Sequence, residues 1–318
     1  MSKRLTLGLD LGGTKVLGIA LSERGEVVAE CRRPTPRAQD ALMDTLGAVA
    51  EELMTTTSGD GDVVAVGVGA PGLVDRDGVL RAAPNLPFVD RLQLRAGLAA
   101  RLGLPVRADN DATCAAWGER QLGAARGKDH VLVVTLGTGI GGGIIADGRL
   151  YRGANGFAGE IGHMVVEPHG PACPCGQRGC WERYASGSGL GRLGREAAHA
   201  GQVPRVLELA GDDPEAVRGE HVTRAALEGD AGARAVFGRF AWWLALGLAN
   251  LANVFDPEMF VIGGGLVEAG DVLLDPARAA FQDLVEAADR RPEISIVPAA
   301  LGERAGAMGA AVLACVSD

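Results

Sequence analysis

The 318-residue chain shows no apolar run long enough to cross a bilayer. Its longest, Phe240 to Leu248 between Arg239 and Asn250, suits a buried helix instead. No signal-peptide core forms either, because Asp10 interrupts the short apolar stretch Leu5 to Leu9. An intracellular, cytoplasmic protein without membrane partners is expected. Positive charge is in deficit: 31 Lys and Arg face 40 Asp and Glu, a net charge of −9. That argues against nucleic-acid and anionic-membrane binding. Aromatics are only 4%, yet apolar residues reach 47% and charged ones 22%, which excludes a disordered chain and a coiled coil. The 6 cysteines are too unevenly placed, in too large a chain, for a disulfide framework. Cys31, Cys114 and Cys315 are scattered and read as small buried residues.

Glycine, by contrast, is abundant. The 48 glycines are about 15% of the chain, twice the usual share, and lack a three-residue period. Collagen is excluded, and many turns or close backbone approaches are implied. Length over roughly 150 residues per domain suggests two domains, with a sizeable core. Thr6 to Asp10 is a strand ending at Gly12-Gly13, and Val16 to Leu21 is a second apolar run. Glu26 to Glu30 reads as a strand, Ala38 to Met54 as a helix and Val63 to Val68 as a buried strand. Arg91 to Leu102 is helical and Leu104 to Ala108 a short strand. Asp109-Asn110-Asp111 then opens a helix to about Leu122, with Asp or Asn able to cap it. In the second half, Val131 to Leu136 is a strand, Gly137 to Gly143 a glycine loop and Asp147-Gly148 a tight hairpin turn. Helices are expected at Ser188 to Ala200, Ala231 to Val254, Asp275 to Ala288 and Gly306 to Val316. Met259 to Ile262 and Ile294 to Val297 are strands.

A shift of 125 residues places Asp10-Leu11-Gly12 on Thr135-Leu136-Gly137 and Gly18-Ile19 on Gly143-Ile144. Two unrelated glycine hairpins are the plain alternative. A duplication would give two α/β domains, each offering a glycine loop to one cleft. The segments Asp10-Leu11-Gly12-Gly13-Thr14-Lys15 and Thr135 to Gly143, with Gly137, Thr138 and Gly139, could cradle phosphate. Glycines admit backbone N–H groups to phosphate oxygens, and Thr adds hydroxyl donors. Neither segment matches the nucleotide P-loop, and no ribose-binding acid supports a dinucleotide fold. Each alone reads as an ordinary hairpin. The pair, one carrying an acid, favours phosphate. Asp10 at its strand end suits Mg²⁺, held through water, with a turn cap as the alternative.

His163, Cys173, Cys175 and Cys180 have the spacing H-x9-C-x-C-x4-C, with Pro171, Pro174, Gly176 and Gly179 between. Three thiolates and an imidazole make a closed tetrahedral Zn²⁺ site, structural because no position stays open. His169 is the rival nitrogen ligand; a redox pair or unrelated buried thiols are the other readings.

The motifs Asp10 to Lys15, Asn110-Asp111-Ala112, Thr135 to Gly143, Gly159-Glu160-Ile161-Gly162-His163 and Cys173 to Glu182 together resemble the ROK family of sugar kinases. The resemblance is strongest to its bacterial glucokinases and reaches Gly263-Gly264-Gly265. It implies the actin-like ATPase (ribonuclease H-like) fold: duplicated α/β domains with a cleft between them. Boundaries are expected at 1–122 plus a returning helix 303–318, and at 123–302 with the zinc loop. By the same resemblance Asp111 is the general base toward the sugar 6-hydroxyl. Asn85, Asn110, Glu160, His163 and Glu182 hold the other hydroxyls, His163 serving zinc and sugar through its two nitrogens. Phe88 stands where glucokinases often have Trp. ATP and Mg²⁺ would meet Asp10, Gly12, Gly13, Thr14, Lys15, Thr135, Gly137, Thr138, Gly139 and Gly263 to Gly265. The expected reaction is phosphorylation of glucose by ATP to glucose 6-phosphate in a homodimer or homotetramer. N-acetylmannosamine, N-acetylglucosamine, mannose or fructose as acceptor stays open, as does polyphosphate as donor. The family also holds sugar-responsive repressors. Those carry an N-terminal helix-turn-helix, for which Asp10 leaves no room. Asp111 counts against a non-catalytic sugar sensor.

Overall fold

The structure is a computed structural model that describes residues 3–315. Strands β1 (Arg4–Leu11), β2 (Lys15–Ser22) and β3 (Val27–Pro34) form an antiparallel meander. Helix α1 (Gln39–Thr56) leads into β4 (Asp62–Ala70). A small antiparallel sheet of β5 (Leu73–Val74), β6 (Val79–Ala82) and β7 (Leu92–Gln93) follows. Then come α2 (Leu94–Leu102), β8 (Val106–Asn110) and α3 (Asp111–Gln121). The first large sheet has the order β3-β2-β1-β4-β8, with β4 parallel to both β1 and β8.

The second half repeats the plan. Strands β9 (Val131–Leu136), β10 (Ile140–Ala146) and β11 (Arg149–Leu150) are followed by α4 (Glu182–Ala185), α5 (Gly187–His199), α6 (Pro204–Leu209), α7 (Gly219–Leu227) and α8 (Ala231–Phe255). Strand β12 (Met259–Gly263), α9 (Asp271–Leu284), β13 (Ser295–Pro298) and α10 (Ala305–Leu313) complete it. The second sheet has the order β11-β10-β9-β12-β13. Counting strands within each sheet in chain order, both sheets read 3-2-1-4-5. The 125-residue shift places Lys15, the first residue of β2, on Ile140, the first of β10. The duplicated α/β architecture is therefore present. Asp147 and Gly148 both have positive φ, the backbone that a two-residue hairpin between β10 and β11 requires.

The chain forms two compact units. One takes the chain up to Val133, Gly143–Gly159 and everything from Ala300 onward; the other takes Val134–Gly142 and Glu160–Ala299. The sequence suggests single boundaries near 122 and 302, whereas the units interleave. One cause is Gly143, where a Cβ would stand 2.3 Å from the Ala116 Cβ on α3. The bare backbone lets β10 settle against that helix.

The first unit's core is aliphatic: Leu7, Leu9, Val66 and Val68 meet Leu46, Val49, Leu94 and Leu98. Helix α10, of sequence AGAMGAAVL, lies hard against β1 and β4. A Cβ at Gly8 or Gly67 would fall 1.8 Å from the Ala307 or Ala310 carbonyl oxygen. These two glycines thus set the helix-to-sheet distance. In the second unit, α8 is the one helix among the described residues long and apolar enough to cross a membrane. Its Phe237, Phe240, Leu244 and Leu248 are fully buried, the pattern of a core helix.

Candidate active site

In the first unit, three acids gather at the ends of parallel strands. Register aligns Asp10 of β1 with Gly69 of β4, and Gly69 with Asp109 of β8. Asp111 starts α3, its Cα 3.4 Å from where a Gly69 Cβ would lie. The strand-to-helix turn is fixed by side chains. Asn110 Oδ1 accepts the Thr113 N–H at 3.1 Å as the N-cap, and its amide donates to Gly72 O at 3.1 Å. The Asp111 carboxylate accepts the Ala112 N–H at 2.8 Å. Burial holds Asp111 above the usual carboxylate range. Burial, with the Asp111 charge adding, pushes Asp10 up to about 7, against the pull of Lys15. A Cβ at Gly306 would come within 2.8 Å of the Asp10 carboxyl carbon, so only glycine fits there on α10. Burial likewise pushes Asp109 up to about 6, opposed by Arg152.

The Gly12-Gly13 turn is closed by Gly12 N–H donating to Lys15 O at 2.9 Å, and Thr35 donates to Gly12 O at 2.7 Å. Asn85 lies beside it, its Cβ 3.7 Å from where a Gly13 Cβ would be. Lys15 does not lean over this turn. Its ammonium pairs with Glu303 at 2.9 Å on the surface.

The second unit gathers the other group. The ligand atoms of His163, Cys173, Cys175 and Cys180 all lie within 4.8 Å of one another. Cys173 Sγ is 3.7 Å from His163 Nδ1, and the Cys175 and Cys180 sulfurs are 3.6 Å apart. Those gaps are too long for a disulfide and match the edges of a tetrahedron whose metal–sulfur distance is about 2.3 Å. His169 is exposed and outside the cluster, and His163 is the histidine whose ring nitrogen lies among the three sulfurs. Glu160 and Glu182 flank the histidine, 3.7 Å from its Nε2 and 3.9 Å from its Nδ1. Trp181 is fully buried and donates to Trp243 O at 2.8 Å. Gly247 of α8 leaves its ring room, which anchors Cys180 and Glu182 on either side in sequence.

The glycine loop is shorter than expected. Ile140 already belongs to β10, leaving Gly137-Thr138-Gly139 as the turn. Gly187 N–H and Ser188 Oγ donate to the Gly137 and Thr138 carbonyls, both at 2.8 Å. Gly264 has φ +81° and presses its backbone on Leu136, while Gly263 faces Thr135. The three loops meet at a cavity of about 1140 Å³ within this unit. Gly137, Thr138, Ser188, Arg183, Arg192 and Arg218 line it. Arg183 Nε and Arg192 Nε and Nη2 are buried without a hydrogen-bond partner among the described residues. Donors left this way suit an anionic ligand. The sequence reading missed these arginines, since they come from α4, α5 and the start of α7. Only Arg192 and Arg195, one turn apart on α5, gave a local hint.

A family model described as "ROK family" matches residues 6–316. A glucokinase of Streptomyces coelicolor is 39% identical over 317 residues, covering 99% of this chain and 98% of its own. A glucokinase of Thermotoga maritima is 38% identical over 316 residues, covering 98% and 97%. The crystal structure of a ROK family glucokinase from Streptomyces griseus, in complex with glucose and AMPPNP, superposes with a TM-score of 0.86 at 40% identity. That match covers 98% of this chain and 99% of that one.

Proposed function

This chain belongs to the ROK family, and we propose that it transfers the γ-phosphoryl group of ATP to the 6-hydroxyl of glucose, as a hexose kinase of the glucokinase type. The observation that carries this reading is Asn110-Asp111 at the β8–α3 turn, in a chain similar to glucokinases over its whole length. Asp111 takes the proton from the sugar O6 as O6 bonds to the γ-phosphorus. The bond from that phosphorus to the β,γ-bridging oxygen breaks, and ADP leaves. A carboxylate raised by burial accepts a proton better near neutral pH, and such bases contribute about 10²–10⁴-fold. Phosphoryl transfer otherwise asks for positioning and charge stabilisation.

By the family resemblance, Asn85, Asn110, Glu160, His163 and Glu182 are the residues proposed to hold the remaining hydroxyls. The 1140 Å³ cavity takes the nucleotide, its arginines facing the negative charge. The Gly12-Gly13 and Gly137 to Gly139 turns take the phosphates, and Gly263 to Gly265 shape the cavity wall. Lys15 joins only if it leaves Glu303.

Asp10 fits a magnesium site: its carboxyl is held high by burial and by Asp111, and a cation relieves both. Magnesium would neutralise phosphate charge there. The cysteine cluster fits zinc by donor set and spacing. Zinc would fix the loop bearing His163 and Glu182, so His163 keeps Nε2 free on the Glu160 side. We place the enzyme in the cytoplasm. We propose assembly into a homodimer or homotetramer, as the family resemblance implies.

The test is ADP release from Mg²⁺-ATP with glucose, mannose, fructose, N-acetylglucosamine and N-acetylmannosamine. Fastest turnover is expected with glucose. Preference for an N-acetylated sugar or fructose would replace the substrate, and silence with all five would overturn the kinase reading.

A further inference from the structure

Behind Asp111 lies a charge pair that the proposed chemistry leaves unused. Asp109 is fully buried next to Asn110, and Arg152 Nε stands 2.7 Å from its Oδ2. The contact is ionic and lacks the alignment of a hydrogen bond. The other Asp109 oxygen accepts the Asn110 N–H at 2.8 Å, so this carboxylate also sets the backbone that turns into Asp111.

Arg152 lies near the start of the segment 151–159, which delivers the chain to Glu160. Arg76 grips that segment further on: its Nη2 donates to Gly153 O at 2.5 Å, and its backbone N–H to Asn155 O at 3.2 Å. Gly156, at φ +98°, seats against Val74 O. Of these anchors Arg152 pairs directly with Asp109, two residues before Asp111, while the Arg76 charge acts on the same carboxylate.

We propose that Asp109 and Arg152 are the positioning pair of the reaction, fixing the segment that leads to Glu160 onto the strand end that presents Asn110 and Asp111. The reason is energetic as well as geometric. Burying two charges is costly, and apolar residues of equal volume stabilise as well or better, so stability alone does not call for the pair. What an ion pair supplies is one defined arrangement of two backbones, and misplacement by about 1 Å can cost about 100-fold in rate. The inference rests on the reading of Asp111 as base.

The experiment compares wild type, Asp111→Asn, Arg152→Lys and the double variant Asp109→Asn/Arg152→Gln. Thermal melting, kcat and the KM for glucose and for ATP are measured. The double variant leaves no lone buried charge, so near-normal melting is expected. Its kcat should fall about tenfold or more and its glucose KM rise, with the ATP KM unchanged within about twofold. A folded double variant with wild-type kcat and glucose KM overturns the proposal. Should the double variant not fold, Arg152→Lys decides. It keeps the charge but loses the guanidinium's reach, and a fall in kcat of about threefold or more is expected. Wild-type kcat in folded Arg152→Lys, or failure of both variants to fold, assigns the pair to stability and overturns the proposal. An active Asp111→Asn would remove the base itself. An inactive Asp111→Asn beside unaltered pair variants would remove this inference alone.

Discussion

Asp10 makes stability depend on pH in an unusual sense for a carboxylate. Its folded value is about 7 against an ordinary 3.8, raised by burial and then by Asp111. The fold therefore binds this proton more tightly than the unfolded chain does. The stabilisation is fully present below pH 4 and is lost as pH rises through about 7. Asp109, at about 6, acts in the same direction. Asp10→Asn carries no such penalty. Its Tm should exceed that of wild type by roughly 5 °C at pH 8 and by no more than about 1 °C at pH 4. A difference that stays flat across that range would contradict the assignment. At this scale the cysteine cluster was legible from its spacing, and Asp10 and Asp111 as acids at strand ends, the role of Asp111 as base coming from the family resemblance alone. Asp109 and Arg152 were not: they lie 43 positions apart in sequence, and only the folded chain shows that they pair.

Among the elements, the zinc loop and α10 make the sharpest claims. Cys175 is exposed while Cys173 and Cys180 are buried, so its loss opens the metal site without cutting into the core. Cys175→Ser should bind less zinc, melt earlier and show a raised glucose KM, because the same loop carries His163 and Glu182. Elemental analysis beside kinetics reads this directly. A zinc-free protein with normal glucose KM would break the link. Helix α10 depends on two absent side chains. Gly67→Ala forces a methyl into the Ala310 carbonyl, an overpacking of roughly 3 kcal/mol, and should lower Tm by about 5 °C or more. Unchanged melting would mean that α10 moves freely. Long periodic elements were legible, α8 and β9 nearly to the residue. Strands β5 to β7 were not, being two to four residues long with no room for alternation. Helices α6 and α7 were hidden because, at six and nine residues, they are too short to show a helical period. The start of β10 at Ile140 was hidden because glycines 141 to 143 read as a turn, whereas at Gly143 a side chain would meet Ala116 of α3.

The whole molecule is one plan used twice. Both sheets follow the same strand order, yet the sequence kept only the glycine turns as a trace, since alternating aliphatics satisfy the buried strands in many ways. What distinguishes the halves is insertion. Between β11 and β12 the second half has the cysteine cluster and five α-helices where the first half has only α1 between β3 and β4, and those supply the candidate metal ligands and the arginine-lined cavity. The first half keeps the acids. The central claim is that the hydroxyl proton goes to one carboxylate. Transfer from Mg²⁺-ATP to glucose should therefore be measured in wild type and in Asp111→Asn, with melting curves confirming that both are folded. The expected result is an unchanged fold and a kcat lower by at least about 100-fold, with the ATP KM little altered. A folded Asp111→Asn that phosphorylates glucose at a near-normal rate would contradict the account.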